Sequence, residues 1–225
     1  MRIALIGYGK MGHIIEQIAL QRGHNIVARI DAGDAFELKN AEVAIEFTTP
    51  QTAKENILRA WAQGVPVVCG TTGWDVTELR VESLELREVE GKKLIVDSKT
   101  GKTMLVWSSN YSVGVNIFFD LNRHLAAAMS HQPQYTPSIT ETHHIHKLDK
   151  PSGTAKTLSE GIRIQNTDRF TDRIQIESIR EGEVPGTHVV TWDSPQDTII
   201  ITHIAKGREG FALGAVLAAE ELGKN

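Results

Sequence analysis

A single cysteine, Cys69, stands among 225 residues. No internal disulfide can form, and such usage suits a reducing compartment. No apolar run approaches the ~20 residues of a membrane span. The N-terminus MRIALIGYGKMG holds a short apolar run that leads straight into glycines. It has no small-residue cleavage pattern of a secretory signal. These absences predict a soluble, cytoplasmic protein. Lys and Arg number 24 against 28 Asp and Glu, mixed along the chain for a net charge of −4. With no basic block and no basic-aromatic stripe, nucleic acid is a poor candidate partner. No internal repeat and no low-complexity linker divides the chain, whose length admits one large domain or two modest ones.

The N-terminal half is rich in a pattern with a physical reason behind it. RIALI (2–6) reads as a buried strand, followed by Gly7-Tyr8-Gly9-Lys10-Met11-Gly12 and a helix from His13 to about Arg22. Gly23 is its expected stop. NIVARI (25–30) is a second strand that runs into Asp31. Strand, G-x-G-x-x-G, helix, strand and acid in that order form the dinucleotide-binding fingerprint. Gly7 permits the tight turn, Gly9 the approach of a pyrophosphate, and Gly12 close packing of helix on strand. Asp31 follows Gly12 by 19 positions, near the ~20 expected of a ribose-binding acid. VAIEF (43–47) is a third strand, and Pro50 opens a helix to about Gln63. Residues 66–69 are a fourth strand, ending in Gly70-Thr71-Thr72-Gly73. Turns at the carboxyl ends of such strands are where ligands bind. Asp75–Glu90 is expected to be a charged, solvated helix. LIVDS and MLVWS flank a hairpin turn at Lys99–Lys102. Gly101-Lys102-Thr103 is no P-loop, because position 96 is Val96 where that motif needs glycine.

The richest stretch is ETHHIHKLDKPSGTA (141–155). His143, His144, His146 and Lys147 fall within five positions, on a strand expected over Ile139–Lys147. Pro151-Ser152-Gly153-Thr154 then precedes a helix-like run. Proline in a first helical turn and Ser or Thr as cap are favoured there. Free N–H groups at such a start attract anions. Titratable donors beside an anion cradle suit a carboxylate-bearing substrate. Further strands are expected at 174–180, 188–193 and 199–203, with a last helix at 214–222. The first half therefore argues for a parallel sheet and the second for a separate mixed one.

GYGKMG, Asp31, VCGTTG, SSNYSVGVN, ETHHIHKLDKPSGTA, REGEVPGTH and AKGREGFALGAV together resemble the 4-hydroxy-tetrahydrodipicolinate reductase (dihydrodipicolinate reductase) family. The pieces span the whole chain, and HHxxKxDxPSGTA is the specific one. The first loop is one residue shorter than is common in that family, Lys150 replaces a usual alanine, residues 92–106 are unfamiliar, and the chain is short. The resemblance implies an α/β fold: a Rossmann-type dinucleotide domain of residues 1–111 and 207–225, and an α+β mixed-sheet substrate and tetramerisation domain of residues 112–206. It implies reduction by NADH or NADPH of a cyclic dicarboxylate in diaminopimelate and lysine biosynthesis, by a homotetramer. His143 and Lys147 match the family's proton-handling pair, and His144, Gly153 and Thr154, beside Ser152, its carboxylate contacts. Gly70, Thr71, Thr72, Ser108, Ser109, Asn110 and Tyr111 match cofactor contacts.

Three rivals stay open at this stage. Clustered histidines suit zinc, but no carboxylate or thiol stands out close by in sequence, so no metal is expected. An aldehyde dehydrogenase of the aspartate-semialdehyde type would need Cys69 as nucleophile. A non-catalytic NAD-binding sensor would not need the His143 and Lys147 cluster.

Overall fold

The computed structural model describes residues 1–79, 84–89, 92–167, 169–170 and 174–224. The chain divides into two compact units, Met1–Ser112 with Glu209–Asn225, and Val113–Arg208.

The first unit opens with β1 (Arg2–Ile6), α1 (Lys10–Gln21), β2 (Asn25–Ile30), β3 (Val43–Glu46), α2 (Pro50–Ala62) and β4 (Val67–Cys69). It continues with β5 (Leu84–Val89), β6 (Lys92–Asp97) and β7 (Thr103–Trp107). The sheet order is β2-β1-β3-β4-β7-β6-β5. β2 to β7 pair in parallel along that order, and β6 and β5 are antiparallel additions at one edge. The near-continuous apolar strands are buried on both faces, as parallel strands require. Ala4, Ile6, Ala44 and Val67 face Ile57 and Ala60 of α2. Ile3, Leu5, Val43 and Val68 face Ile15 and Ala19 of α1 on the other side.

The charged helix expected over Asp75–Glu90 is not what forms. A single 3-10 turn covers Val76–Glu78 and β5 covers Leu84–Val89, while residues 80–83 and 90 lie outside the described residues. Backbone pairing with β6, from Leu84 with Asp97 to Val89 with Lys92, overrides the helical preference of Glu, Leu and Arg. The hairpin expected at Lys99–Lys102 does form, between β6 and β7. α1 starts at Lys10, earlier than expected, because extended Gly9 is its cap and Gly12 lies within its first turn.

The second unit holds α3 (Val113–Met129), β8 (Thr136–His143), α4 (Gly153–Gln165), β9 (Gln175–Arg180), β10 (Thr187–Asp193) and β11 (Thr198–Ile204). Its sheet runs β11-β10-β8-β9, with β10 antiparallel to both neighbours and β8 parallel to β9. Along β8, Pro137, Ile139, Glu141 and His143 are buried in strict alternation. Ile139, Val190 and Trp192 pack against Phe118 of α3 and Leu158 and Ile162 of α4. β8 ends at His143, so His144 to Lys147 form a turn and not the strand continuation expected. Finally α5 (Glu209–Leu222) returns to the first unit, starting earlier than position 214. Its small residues Ala212, Ala215 and Ala219 settle it on the sheet, and a Cβ on Gly214 would meet the Tyr111 carbonyl oxygen at 1.6 Å.

Candidate active site

In the first unit the glycine loop is shaped by contact, not by composition alone. Gly7 has φ 92°, and a Cβ there would meet the Phe47 carbonyl oxygen at 2.0 Å. A Cβ on Gly12 would come within 2.5 Å of the Gly7 carbonyl, so α1 can lie close on β1. A Cβ on Gly9, at the α1 start, would meet nothing within 4 Å. An open helix N-terminus in this position fits a pyrophosphate. A cavity of about 490 Å³ is lined by Gly7, Gly9, Asp31, Asp34, Thr48 and Asn56 among others. Asp31 is exposed, and Asp34 Oδ2 accepts its N–H at 2.8 Å. Tyr8 and Met11 are half-buried and Lys10 is exposed. The Tyr8 hydroxyl bonds to Glu16, and Arg29 Nε also reaches Glu16 at 3.0 Å.

The other expected cofactor contacts divide. Gly70 packs on the Phe47 ring, where a Cβ would intrude to 2.1 Å. Thr71 is buried; its hydroxyl accepts the Thr48 N–H, and its carbonyl accepts the indole N–H groups of Trp74 and Trp107. Tyr111 is buried, with its hydroxyl shared between the Cys69 and Val106 carbonyls. The Ser108 hydroxyl donates to the Asn110 carbonyl, and both residues are buried. Thr72 and Ser109 are exposed. Thr71, Ser108 and Tyr111 thus hold the carboxyl ends of β4 and β7 in shape.

In the second unit the cluster is built around Glu141, which is wholly buried. Its carboxylate accepts the Ser152 N–H at 3.0 and 3.1 Å and Arg180 Nη2 at 3.2 Å. His143 Nδ1 and His188 Nε2 lie 3.5 and 3.7 Å from its Oε2. Burial alone would raise its pKa. Hydrogen bonding to His188, Ser152 and Ser178 overcomes that and holds it well below the ordinary carboxylate range. Burial, reinforced by His188, lowers His143 to about 4, so its imidazole is neutral at neutral pH. Lys147 Nζ pairs with Asp149 at 2.7 Å, and His146 reaches the exposed Glu183 at 3.3 Å.

Ser152 is the N-cap of α4, its hydroxyl accepting the Ala155 N–H at 3.2 Å. Pro151 therefore sits before the cap, not in the first helical turn as expected. Ser152 is buried, and its N–H is committed to Glu141 and its hydroxyl to Ala155 and His188. That leaves Gly153, exposed and with nothing within 4 Å of a Cβ, as the open point of the helix start. Thr154 follows it, half-buried.

Glu141, Arg180 and His188 were not singled out from sequence. The available signal was phase: Glu141 lies two positions before His143, so both fall on one strand face. The expectation that no carboxylate neighbours the histidines in sequence is thereby corrected. Glu141, His143 and His188 offer ligand atoms within 4.8 Å of one another. The same carboxylate is already bound by Arg180 and the Ser152 N–H, so no metal is assigned. His144 and His146, held by a turn, do not share a strand face; their ring centroids are 6.1 Å apart.

A family model described as "Dihydrodipicolinate reductase, C-terminus" matches residues 114–225, and one described as "Dihydrodipicolinate reductase, N-terminus" matches residues 33–111. The chain is 43% identical to the 4-hydroxy-tetrahydrodipicolinate reductase of Christiangramia forsetii, over 99% of this chain and 92% of that one. It is 34% identical to the enzyme of that name from Archaeoglobus fulgidus, over 100% of this chain and 95% of that one. The fold is similar to that of a dipicolinate-bound dihydrodipicolinate reductase from Paenisporosarcina sp. TG-14, with TM-score 0.72 at 18% identity, covering 100% of this chain and 95% of that one.

The histidine cluster makes folding depend on pH. The His143 pKa falls from 6.5 in the unfolded chain to about 4 on folding, so the unfolded state takes up a proton first. Stability is therefore full above pH ~6.5 and is lost as pH falls from there toward 4. His203, lowered by burial, adds to the slope, and Glu141 and Glu220, both lowered from 4.5 on folding, add to it as pH falls below about 4.5. Urea unfolding across this range is expected to show a falling midpoint for the wild type and a shallower fall for His143→Asn. Equal slopes would contradict the neutral, buried His143.

Proposed function

This chain belongs to the dihydrodipicolinate reductase family, whose nicotinamide-dependent reaction reduces 4-hydroxy-tetrahydrodipicolinate in diaminopimelate and lysine biosynthesis, and we propose that Lys147 is its proton donor. The observation that carries this reading is the contrast within one cluster. His143 is buried and neutral, whereas Lys147 is partly exposed and paired with Asp149. A bound dihydronicotinamide supplies the hydride. The 4-hydroxyl leaves as water, negative charge develops on the ring as the hydride is delivered, and the Lys147 ammonium meets that charge with a proton while neutral His143 holds an acceptor beside it. The substrate's carboxylates call for donors, and the N–H groups at Gly153 and Thr154 with the His144 ring supply them. Gly7, Gly9 and Gly12 admit the cofactor pyrophosphate to the α1 start, and Asp31 takes the ribose hydroxyls.

An aspartate-semialdehyde type of chemistry is disfavoured by Cys69. The thiol is wholly buried, donates to Glu46 at 3.0 Å, and is pushed up by burial and by the Glu46 charge. A nucleophile needs the opposite. The exposed Ile200 and Ile204 on the edge strand β11 support self-association, read here as a homotetramer. Cys69, alone and buried, is in keeping with a cytoplasmic enzyme.

The test of the proton donor is Lys147→Ala, which should lower turnover by about 10²–10⁴-fold, or roughly 3–5 kcal/mol of barrier, with cofactor binding unchanged. Near-normal turnover would remove Lys147 from the mechanism.

The anion cradle gives a second expectation. Pyridine-2,6-dicarboxylate should inhibit in competition with substrate. Gly153→Val should weaken it, because the added side chain fills the open approach to α4, where a Cβ meets no atom of the fold within 4 Å. Thr154→Ala should weaken it less, since the backbone donor survives. Isothermal titration at saturating NADH measures both, and unchanged affinity in folded Gly153→Val would place the dicarboxylate elsewhere.

Cofactor choice follows from charge. A 2′-phosphate beside Asp31 sets like charges ~4 Å apart, which costs about 1 kcal/mol in water and about 4 at a surface dielectric. Arg29 is held by Glu16, and Arg59, which lines the cavity, lies over the Phe36 ring at 4.1 Å. NADH should be used at least as well as NADPH in paired steady-state assays. A clear NADPH preference would overturn the role given to Asp31.

A further inference from the structure

We infer that Glu141 is a positioning residue for this reaction, fixing the His143 tautomer and seating both the Lys147 turn and the start of α4 with one buried charge. The inference rests on the reading of the cluster given above and extends it to a residue that reaches no exposed surface.

The geometry has two branches. On one, Glu141 Oε1 accepts Arg180 Nη2 at 3.2 Å, and the Arg180 side chain is itself only 8% exposed. The same guanidinium donates through Nε to the Lys147 carbonyl at 3.1 Å and through Nη2 to the Asp149 carbonyl. The turn that carries Lys147 is thus tied through Arg180 to Glu141. On the other branch both carboxylate oxygens accept the Ser152 N–H, at 3.0 and 3.1 Å. That residue caps α4, so the open N–H at Gly153 is set from the same charge. Proton donor and anion cradle share one anchor.

The tautomer follows from the third contact. His143 Nδ1 is buried, lies 3.5 Å from Glu141 Oε2, and makes no hydrogen bond to that carboxylate or to any other described group. A carboxylate at that distance repels a ring lone pair and attracts an N–H. The proton of neutral His143 therefore belongs on Nδ1, and the lone pair on Nε2. Nε2 lies beneath Gly186, where a Cβ would come to 3.2 Å. A glycine at that position leaves the acceptor nitrogen uncovered by a side chain. His188, whose ring meets His143 edge-on at 5.0 Å, is held on the same carboxylate and on the Ser152 hydroxyl at 3.2 Å.

The experiment compares wild type, Glu141→Gln and the double variant Glu141→Gln with Arg180→Gln. The double variant leaves no buried charge unpaired and serves where the single one does not fold. Histidine ring nitrogens are followed by ¹⁵N NMR at neutral pH, and steady-state constants are measured for substrate and NADH. The expected result has wild-type His143 as the Nδ1–H form, and the variants shifted toward Nε2–H. Turnover should fall about 10²-fold, as misplaced reacting groups do, with the NADH KM unchanged. An unshifted tautomer overturns the inference, as does unchanged turnover. So does an NADH KM that rises in step with the loss of turnover, which would mark general damage to the fold. A wild type that leaves 4-hydroxy-tetrahydrodipicolinate unreduced would instead remove the proposed reaction, while the tautomer shift still decides the role of Glu141.

Discussion

A carboxylate buried in a sheet interior is the constraint around which the second unit is arranged. Burying an ion costs several kcal/mol even after relaxation, and only close, well-directed partners offset it. Glu141 has them on every side: a guanidinium from β9, a backbone N–H from the α4 cap and an imidazole from β10. Each partner belongs to a different element, so satisfying one charge fixes where all of them meet. Replacing the group by an apolar residue of like size would not necessarily cost stability. What would be lost is the register between the turn after β8 and the start of α4. That loss bears on chemistry more than on folding.

The features legible in the sequence were those enforced by local sterics. Gly7 is required because the chain turns with positive φ against the Phe47 carbonyl, and Gly12 because α1 lies on the Gly7 carbonyl. Such demands are met by glycine alone and can be read at a single position. The Thr49-Pro50 start of α2 and the Ser152 cap of α4 are local in the same sense. β5 is the counterexample. Leu84–Val89 carries residues that favour helices, and it becomes a strand because β6 supplies a backbone ladder. That partner is created by the hairpin beyond it, and no window over residues 75–90 contains the information.

The site divides in the same way. The histidines, Lys147 and the Ser-Gly-Thr turn were visible as a dense run of donors, and the family resemblance gave them roles. The buried members of the network were less visible because a buried charge looks like a surface charge in one dimension. Glu141 occupies an inward phase of β8, between Ile139 and His143. An ionisable residue in that phase needs a partner, and Arg180 lies 39 positions away on the neighbouring strand. Likewise Ser152 read as a ligand donor, whereas its donors are consumed inside the protein. The helix start that a ligand would meet begins one residue later.

Electrostatics supports the proposal that a cluster with three histidines leaves the proton to a lysine. Burial lowers an imidazole's affinity for protons, and a second imidazole beside it lowers it further. Glu141 opposes this, but its charge is already divided among Arg180 and the Ser152 N–H. His143 is thereby kept neutral, an acceptor of fixed orientation. Lys147 sits at the edge of the same cluster, partly exposed, with Asp149 as counter-ion. On the proposed mechanism, ring protonation after hydride addition is divided between a neutral, oriented ring that holds geometry and an accessible amine that gives up the proton. The inferred role of the buried carboxylate joins the two, since it lies beside the first and reaches the second through Arg180.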